Sequence, residues 1–298
     1  MMRRPTVSTL GSFSEAVTLV SQGRPGHIVD TLIAERGQKI VKHPLWPVMR
    51  PFVYTLLRYG KAVEFADDVA RLNGAQVFDY LSAALDLKIG VRNADRIPPE
   101  GGFILVSNHP TGIADGVAMY DLLKTRRPDM TFFANRDAIR VNPRLAEIII
   151  PVEWREEHKS KLKARETLQL TNRAIEERKA AILFPSGRIA YWDNGRLNER
   201  PWKTSAVSLA RKYDLPILPV NMKARNSGLF YWFANWSTEL RDMTVFHELL
   251  NKRGQQFDFT VGPLIPVSAL DGDVTEVTRA LEAYTVHQLP QEPDRAFG

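Results

Sequence analysis

Residues 102–124 read GFILVSNHPTGIADGVAMYDLLK, and this stretch decides the fold that we predict for the chain. The apolar run at 102–106 is typical of a buried strand, and the apolar spacing at 117–124 is typical of a helix. The polar turn between them contains His109, Gly112 and Asp115. The stretch therefore predicts a strand, a turn and a helix, with a histidine and a carboxylate at the strand end, where open α/β sheets bind ligands.

The same alternation continues along the chain. Short apolar runs predict further strands at 87–91, 131–134, 148–152, 180–184, 217–221 and 257–261. Apolar residues at helical spacing predict helices at 116–124, 165–178, 203–213 and 274–289. Strands and helices that alternate in this way predict an α/β fold, in which a mixed, mostly parallel sheet is flanked by helices.

The first 84 residues depart from this pattern. Residues 13–84 contain no strand-like run, and their apolar residues recur at helical spacing, which predicts a helical lead-in at 1–84 before an α/β domain at 85–298. Trp46, Phe52 and Tyr54 lie near Arg50 in the lead-in. Such a helix suits either a membrane surface, with its basic residues toward the headgroups, or packing against the α/β domain, and both uses stay open.

Composition narrows the classes of function. A chain of 298 residues that is 44% apolar can bury a substantial core, and the absence of cysteine excludes thiolate nucleophiles and thiolate metal sites. The net charge of +6 favours anionic partners, such as phospholipid headgroups, an acidic carrier protein or a phosphate-bearing cofactor. We find no nucleic-acid-binding motif, no apolar signal-peptide core and no run of about 20 apolar residues. We therefore expect neither nucleic acid binding, nor secretion, nor a membrane span.

Beyond the turn, three later stretches stand beside predicted strands. In chain order the four stretches are Asn108-His109 with Asp115, Phe133 with Arg136, Phe184-Pro185-Ser186-Gly187, and LPILPV at 215–220. Their residue types and their order resemble the four motifs of the glycerolipid acyltransferase superfamily, over about residues 85–265.

Two departures from the family pattern bear on the acceptor. Five residues separate His109 from Asp115 where the family has four, and this spacing resembles the hemolysin-like and ornithine-lipid N-acyltransferase branch. Ser186 stands where the family has a glutamate that helps to hold a glycerol-phosphate acceptor. The resemblance therefore implies a lipid-related hydroxyl or amine as acceptor, and it weakens the case for lysophosphatidate.

The resemblance also implies roles for individual residues. His109 is expected to act as general base on the acceptor, and Asp115 is expected to orient its ring and stabilise the imidazolium. The residues expected to bind substrate are Asn108, Thr111, Arg136, Pro185, Ser186, Gly187 and Arg188. No bound cofactor or metal is expected. An acyl-CoA or acyl carrier protein thioester is the implied co-substrate, and the enzyme is expected in the cytoplasm, at the inner face of a membrane, in phospholipid or related lipid metabolism.

Two other classes of function stay open. Ser186 with His109 and Asp115 suits a serine hydrolase, although the Gly-x-Ser-x-Gly elbow of that class is missing. A non-catalytic lipid-binding protein with the same fold is the second. Five aromatic residues at 230–236 predict burial in the core, and their alternative use is an acyl-chain tunnel or a membrane-facing patch.

Overall fold

The region before the sheet is helical. The computed structural model describes Arg24 and residues 26–153 and 158–298. Helices α1 to α5 are Ile28–Arg36, Gln38–Val41, Trp46–Leu56, Tyr59–Val69 and Gly74–Leu85. The predicted helical lead-in is confirmed over these helices, and its residues 1–23 and 25 lie outside the described residues.

Seven strands form one sheet in the order β1-β9-β8-β2-β5-β3-β4, and two more form a separate hairpin. The strands β1 to β9 are Lys88–Arg92, Phe103–Ser107, Met130–Asn135, Ile149–Val152, Ala180–Leu183, Tyr191–Asp193, Arg196–Asn198, Ile217–Lys223 and Gln256–Val261. Every neighbouring pair in the large sheet is parallel except β8 and β9. The predicted α/β fold with a mostly parallel sheet is therefore confirmed.

Helices cover both faces of this sheet. Helices α6 to α13 are Ile113–Leu123, Asp137–Val141, Lys161–Glu176, Ser205–Tyr213, Gly228–Trp236, Thr238–Met243, Val245–Leu250 and Val274–Ala283. Successive side chains of a strand point to opposite faces, so Leu105 of β2 joins a buried cluster with α6, whereas Ile104 and Val106 join one with α9 and α13. Burial on both faces explains why the strands appear in the sequence as unbroken apolar runs.

The lead-in has a cluster of its own, which reaches into the later helices. Trp46, Tyr54 and Tyr59 are buried with their rings in contact, and they belong to the same cluster as Met243 of α11. Helix α5 instead contributes to the core beside the sheet. The lead-in thus packs against the α/β region, and a domain boundary at residue 84 stays a prediction.

Two features differ from the sequence prediction. All seven strands of the large sheet were predicted, but the hairpin of β6 and β7 was missed, although its turn carries an Asn-Gly pair, Asn194 and Gly195, with φ of 49° and 75°. Core burial of the aromatics at 230–236 was wrong for most of them. Phe230 is buried, but Trp232 and Trp236 of α10 are exposed, because the helix packs only one side against the protein.

Candidate active site

The carboxyl ends of neighbouring parallel strands bring the sequence motifs together. Strand β2 leads into Asn108 and His109, its neighbour β5 leads into residues 184–188, and its other neighbour β8 leads into Arg225. The LPILPV motif at 215–220 is the exception, because it leads into the amino end of β8 and pairs with β2 inside the sheet. Arg136 follows β3, the next strand beyond β5. The predicted site residues therefore lie along one edge of the sheet, where open α/β sheets bind ligands.

His109 and Asp115 form a hydrogen-bonded pair. His109 Nδ1 lies 2.8 Å from Asp115 Oδ2, and the aspartate is fully buried. Because the carboxylate accepts a hydrogen bond at Nδ1, the ring proton is held on that nitrogen and Nε2 carries the basic lone pair. The imidazole is partly exposed, so the pair has the geometry of a general base with an orienting carboxylate.

The turn between the two residues is shaped around the carboxylate. Asp115 Oδ2 also accepts the backbone N–H groups of Thr111 at 2.8 Å and Gly112 at 3.0 Å, and Oδ1 accepts the Thr111 hydroxyl. Since Asp115 is the third residue of α6, it also caps the N-terminus of that helix. Gly112 has a φ of 95°, and a Cβ there would lie 2.7 Å from the Ile189 side chain, so the turn requires glycine.

Asn108 and Thr111 support this turn from within the protein. Asn108 donates to the carbonyl of Met222 and accepts from its N–H, each at 2.8 Å, which joins the ends of β2 and β8. The carbonyl of Thr111 accepts from Asn226 Nδ2 at 3.2 Å. Both residues were expected to bind substrate. Their side chains are engaged by the protein itself, which favours a role in positioning His109.

The third motif lies directly beside the imidazole. The Phe184 ring stacks on the His109 ring, with centroids 4.4 Å apart and planes at 19°. Pro185 and Ser186 are buried, and the Ser186 hydroxyl donates to the Arg188 carbonyl at 2.9 Å. Gly187 and Arg188 are exposed. Of this motif, Gly187 and Arg188 are therefore the residues most accessible to a substrate.

The basic residues predicted near the motifs have different surroundings. Arg136 pairs with Glu166, with Nη2 and Oε2 2.7 Å apart. Arg188 is exposed, and none of the ion pairs found among the described residues involves it. The amine of Lys203 lies beside Gly187, the residue that precedes Arg188 in the chain. Arg188 and Lys203 thus make the loop after β5 positively charged.

Glu199 completes the site and was missed from the sequence. It follows β7, and its Oε2 accepts the backbone N–H of His109 at 3.1 Å. Within the part of the chain that the structure describes, its buried Oε1 has no hydrogen-bond partner. Burial raises the pKa of Glu199 to about 7, with Asp115 adding to the rise and His109 opposing it. The Asn-Gly hairpin signal in the sequence would have pointed to this loop.

The raised pKa of Glu199 makes stability depend on pH. A carboxyl group with a higher pKa in the folded than in the unfolded protein stabilises the fold at low pH, and this contribution is lost as the pH rises through about 7. We therefore compare the free energies of unfolding of Glu199→Gln and wild type at pH 5 and at pH 8.5 by urea denaturation. We expect the difference between the two proteins to shift by about 2–3 kcal/mol in favour of the variant as the pH rises.

Glu177 provides a control of opposite sign. Hydrogen bonds from Lys179 and Arg173 lower the pKa of this exposed carboxyl to about 2. Its ionised form therefore stabilises the fold above the unfolded pKa, and Glu177→Gln is expected to be less stable than wild type at both pH values, with no trend between them. If the stability of the two variants relative to wild type changed with pH in the same way, Glu199 would not be a buried carboxyl with a raised pKa.

In residues 26–153 and 158–298, no group of three or more His, Asp and Glu side chains is placed to hold a metal ion. None of the helices in the same ranges is long and apolar enough to cross a membrane.

Comparison with known proteins links this geometry to a reaction. A family model described as Acyltransferase matches residues 88–223, which carry the His109 turn and β5. A lyso-glycine lipid O-acyltransferase of Bacteroides thetaiotaomicron is 26% identical over 66% of this chain and 74% of its own length. One of Phocaeicola vulgatus is 27% identical over 65% and 71%. The crystal structure of a 1-acyl-sn-glycerophosphate acyltransferase from Thermotoga maritima is 13% identical, with a TM-score of 0.46 over 95% of this chain and 98% of that one.

Proposed function

Because this chain belongs to the glycerolipid acyltransferase superfamily and is an acyltransferase, we propose that it moves a fatty acyl group from a thioester to the hydroxyl of a lysolipid. The observation that carries the proposal is the 2.8 Å contact between His109 Nδ1 and the buried Asp115 carboxylate. In the proposed reaction His109 Nε2 takes the proton of the acceptor hydroxyl, and the hydroxyl oxygen attacks the thioester carbonyl. The carbon–sulfur bond then breaks, and the thiolate leaves with the proton from His109.

We propose an amino-acid-derived lysolipid as the acceptor. Both curated relatives are named for a lyso-glycine lipid, and both are O-acyltransferases, which act on a hydroxyl. Ser186 occupies the position where the family carries a glutamate for a glycerol-phosphate acceptor, and its hydroxyl is engaged by the Arg188 carbonyl. These observations favour a hydroxyl acceptor without a glycerol-phosphate headgroup.

For the donor we propose a thioester on a phosphopantetheine arm, either acyl-CoA or acyl carrier protein. Arg188 is exposed on the loop that follows β5, which begins with the Phe184 ring that stacks on His109. Lys203, which precedes α9, is also exposed, and its amine lies beside Gly187 of that loop. Positive side chains at this position suit the phosphate groups that both donors carry. The paired Arg136 is a weaker candidate, because Glu166 already neutralises it.

A transfer assay tests the reaction. Purified protein is incubated with palmitoyl-CoA or palmitoyl carrier protein and with one of three acceptors: an N-(hydroxyacyl)glycine, lysophosphatidate or glycerol 3-phosphate. We expect an ester product with the glycine lysolipid, in larger amount than with either phosphate acceptor. Folded protein that forms no product with any pair would count against the proposed reaction.

We further propose that helix α3 holds the enzyme at a membrane surface. Leu45, Val48, Phe52 and Leu56 recur at helical spacing and are exposed, with Val48 and Phe52 at 67% and 76%. The aromatic residues Trp46 and Tyr54, considered for this role from the sequence, instead point into the protein. An apolar stripe with the exposed Lys42 and Arg58 nearby suits insertion among anionic lipid headgroups.

Vesicle binding checks the role of this stripe. Val48→Ser with Phe52→Ser is expected to lower the partition onto vesicles that contain phosphatidylglycerol by about tenfold or more, because two large apolar side chains no longer leave water. The matched control is Leu162→Ser on α8, which removes a side chain that is 80% exposed. Equal binding by all three proteins in a flotation assay would rule out this role for α3.

A further inference from the structure

A cavity of about 670 Å³ adjoins the His109 turn, and none of the motifs accounts for it. Small-molecule sites typically occupy roughly 300–1,000 Å³. One wall belongs to the hairpin, where Ala190 donates to the His109 carbonyl at 2.9 Å and Trp192 lines the cavity. The other wall includes Asn226, which donates to the Thr111 carbonyl. Both walls are therefore fixed to the loop that carries the catalytic pair.

Asn226 ties this wall of the cavity to the catalytic turn. The residue is only 4% exposed, and its Nδ2 is committed to the Thr111 carbonyl. Its Oδ1 is itself buried, so a ligand in the cavity does not reach this atom. The side chain therefore helps to fix the shape of the cavity beside the catalytic pair.

The cavity also carries one uncompensated positive charge. Lys252 lines it, but its amine lies 2.9 Å from the buried Glu248 carboxylate, which neutralises it. Arg225 lines the cavity too, is exposed, and takes part in none of the ion pairs found among the described residues. The guanidinium of Arg225 is therefore available for a ligand anion, and its planar fork matches a carboxylate.

Building on the proposed function, we propose that this cavity is the headgroup site for an acylated amino acid, whose carboxylate binds Arg225. A phosphate headgroup is the competing anion, because it too can pair with a guanidinium. The carboxylate is favoured because both curated relatives are named for a glycine lipid. The aromatic side chains of Trp192, Tyr231 and Trp232 in the same lining suit the methylene groups that follow the amide.

Binding without turnover tests the site. N-dodecanoylglycine and its methyl ester, which lack an acceptor hydroxyl, are titrated by calorimetry below their micelle concentrations into wild type, Arg225→Gln and Arg253→Gln. Arg253 is exposed and lies outside the cavity lining, so it controls for the loss of a surface arginine. We expect wild type and Arg253→Gln to bind the acid about tenfold or more tightly than the ester, and Arg225→Gln to bind the two alike.

Other outcomes overturn the proposal. Equal affinity of the wild type for acid and ester, absence of binding to both, or an equal loss of both ligands in Arg225→Gln would each exclude a carboxylate site at Arg225. Tighter binding of dodecyl phosphate than of N-dodecanoylglycine would indicate a phosphate headgroup instead. Since these titrations need no acyl transfer, intact discrimination without transfer contradicts only the proposed reaction, and transfer without discrimination contradicts only the headgroup site.

Discussion

Replacement of His109 by alanine is expected to lower kcat/KM for acyl transfer by about 10²–10⁴, the range that a positioned general base contributes. In the proposed reaction the partly exposed ring receives the acceptor proton, and Asp115 accepts a hydrogen bond from its Nδ1–H. The substitution also removes the stacking contact with Phe184. Circular dichroism and thermal unfolding would show that the variant is folded before its rates are compared.

Ser186→Ala is the matched control, and it separates direct transfer from a serine hydrolase. The Ser186 hydroxyl donates to the Arg188 carbonyl, so its loss is expected to cost about 1 kcal/mol of stability and to change kcat/KM by less than about tenfold. In a hydrolase the same oxygen would be the nucleophile. If Ser186→Ala is as inactive as His109→Ala while both are folded, direct transfer is wrong.

The large sheet was predictable from the sequence because its strands are buried on both faces. Runs such as 102–106 and 180–184 are apolar without interruption. Short runs of this kind are typical of strands in a sheet that is covered by helices on both faces. Parallel strands place their carboxyl ends along one edge, so the convergence of Asn108 and Phe184 followed from the order of strands and helices. The carboxyl ends of these two strands were predicted to within one residue, because the polar Asn108 and the turn-forming Pro185 interrupt the apolar runs there.

The parts of the site that were missed depend on contacts between distant segments. Glu199 is far from His109 in sequence, and only the fold of the hairpin places its carboxylate on the His109 N–H. The sequence pointed to Ser186 as the position where a carboxylate was absent. The folded chain nevertheless supplies a carboxylate beside His109, from Glu199 on a different loop. Asn226 is a similar case, since its hydrogen bond to the Thr111 carbonyl joins segments that are far apart in the sequence.

The sequence also did not predict which aromatic side chains point into the protein and which point outward. Helical spacing predicted the lead-in that contains α3, whereas no helix was predicted at α10, and in neither segment did the sequence tell which aromatic side chains would be covered. Trp46 packs inward against Tyr54, which in turn stacks on Tyr59, and the two tyrosine hydroxyls donate to Asp30. Phe52 on α3 and Trp236 on α10 point outward instead. Which face of a helix is buried depends on its neighbours, and these come from remote parts of the chain.

Asp115→Asn is expected to lower kcat by about 10²–10⁴ with little change in KM, because the charge that stabilises the imidazolium is lost while the turn is kept. The amide oxygen can accept from His109 and from the N–H groups of Thr111 and Gly112, as Oδ2 does now. The amide nitrogen then donates to the Thr111 hydroxyl. Since hydrogen bonds to a charged acceptor become bonds to a neutral one, we expect a cost of about 1–3 kcal/mol in the free energy of unfolding.

Asp121→Asn on the same helix isolates the catalytic part of this effect. Asp121 is a largely buried carboxylate that accepts from Ser82 and Lys124, and it takes no part in the proposed reaction. Its substitution removes a buried charge from α6 and is expected to lower stability while leaving kcat unchanged. Steady-state kinetics of both variants, at a temperature where both are folded, would decide the matter. A kcat of Asp115→Asn close to that of Asp121→Asn would mean that the Asp115 carboxylate caps α6 and holds the turn, and that the reaction does not depend on its charge.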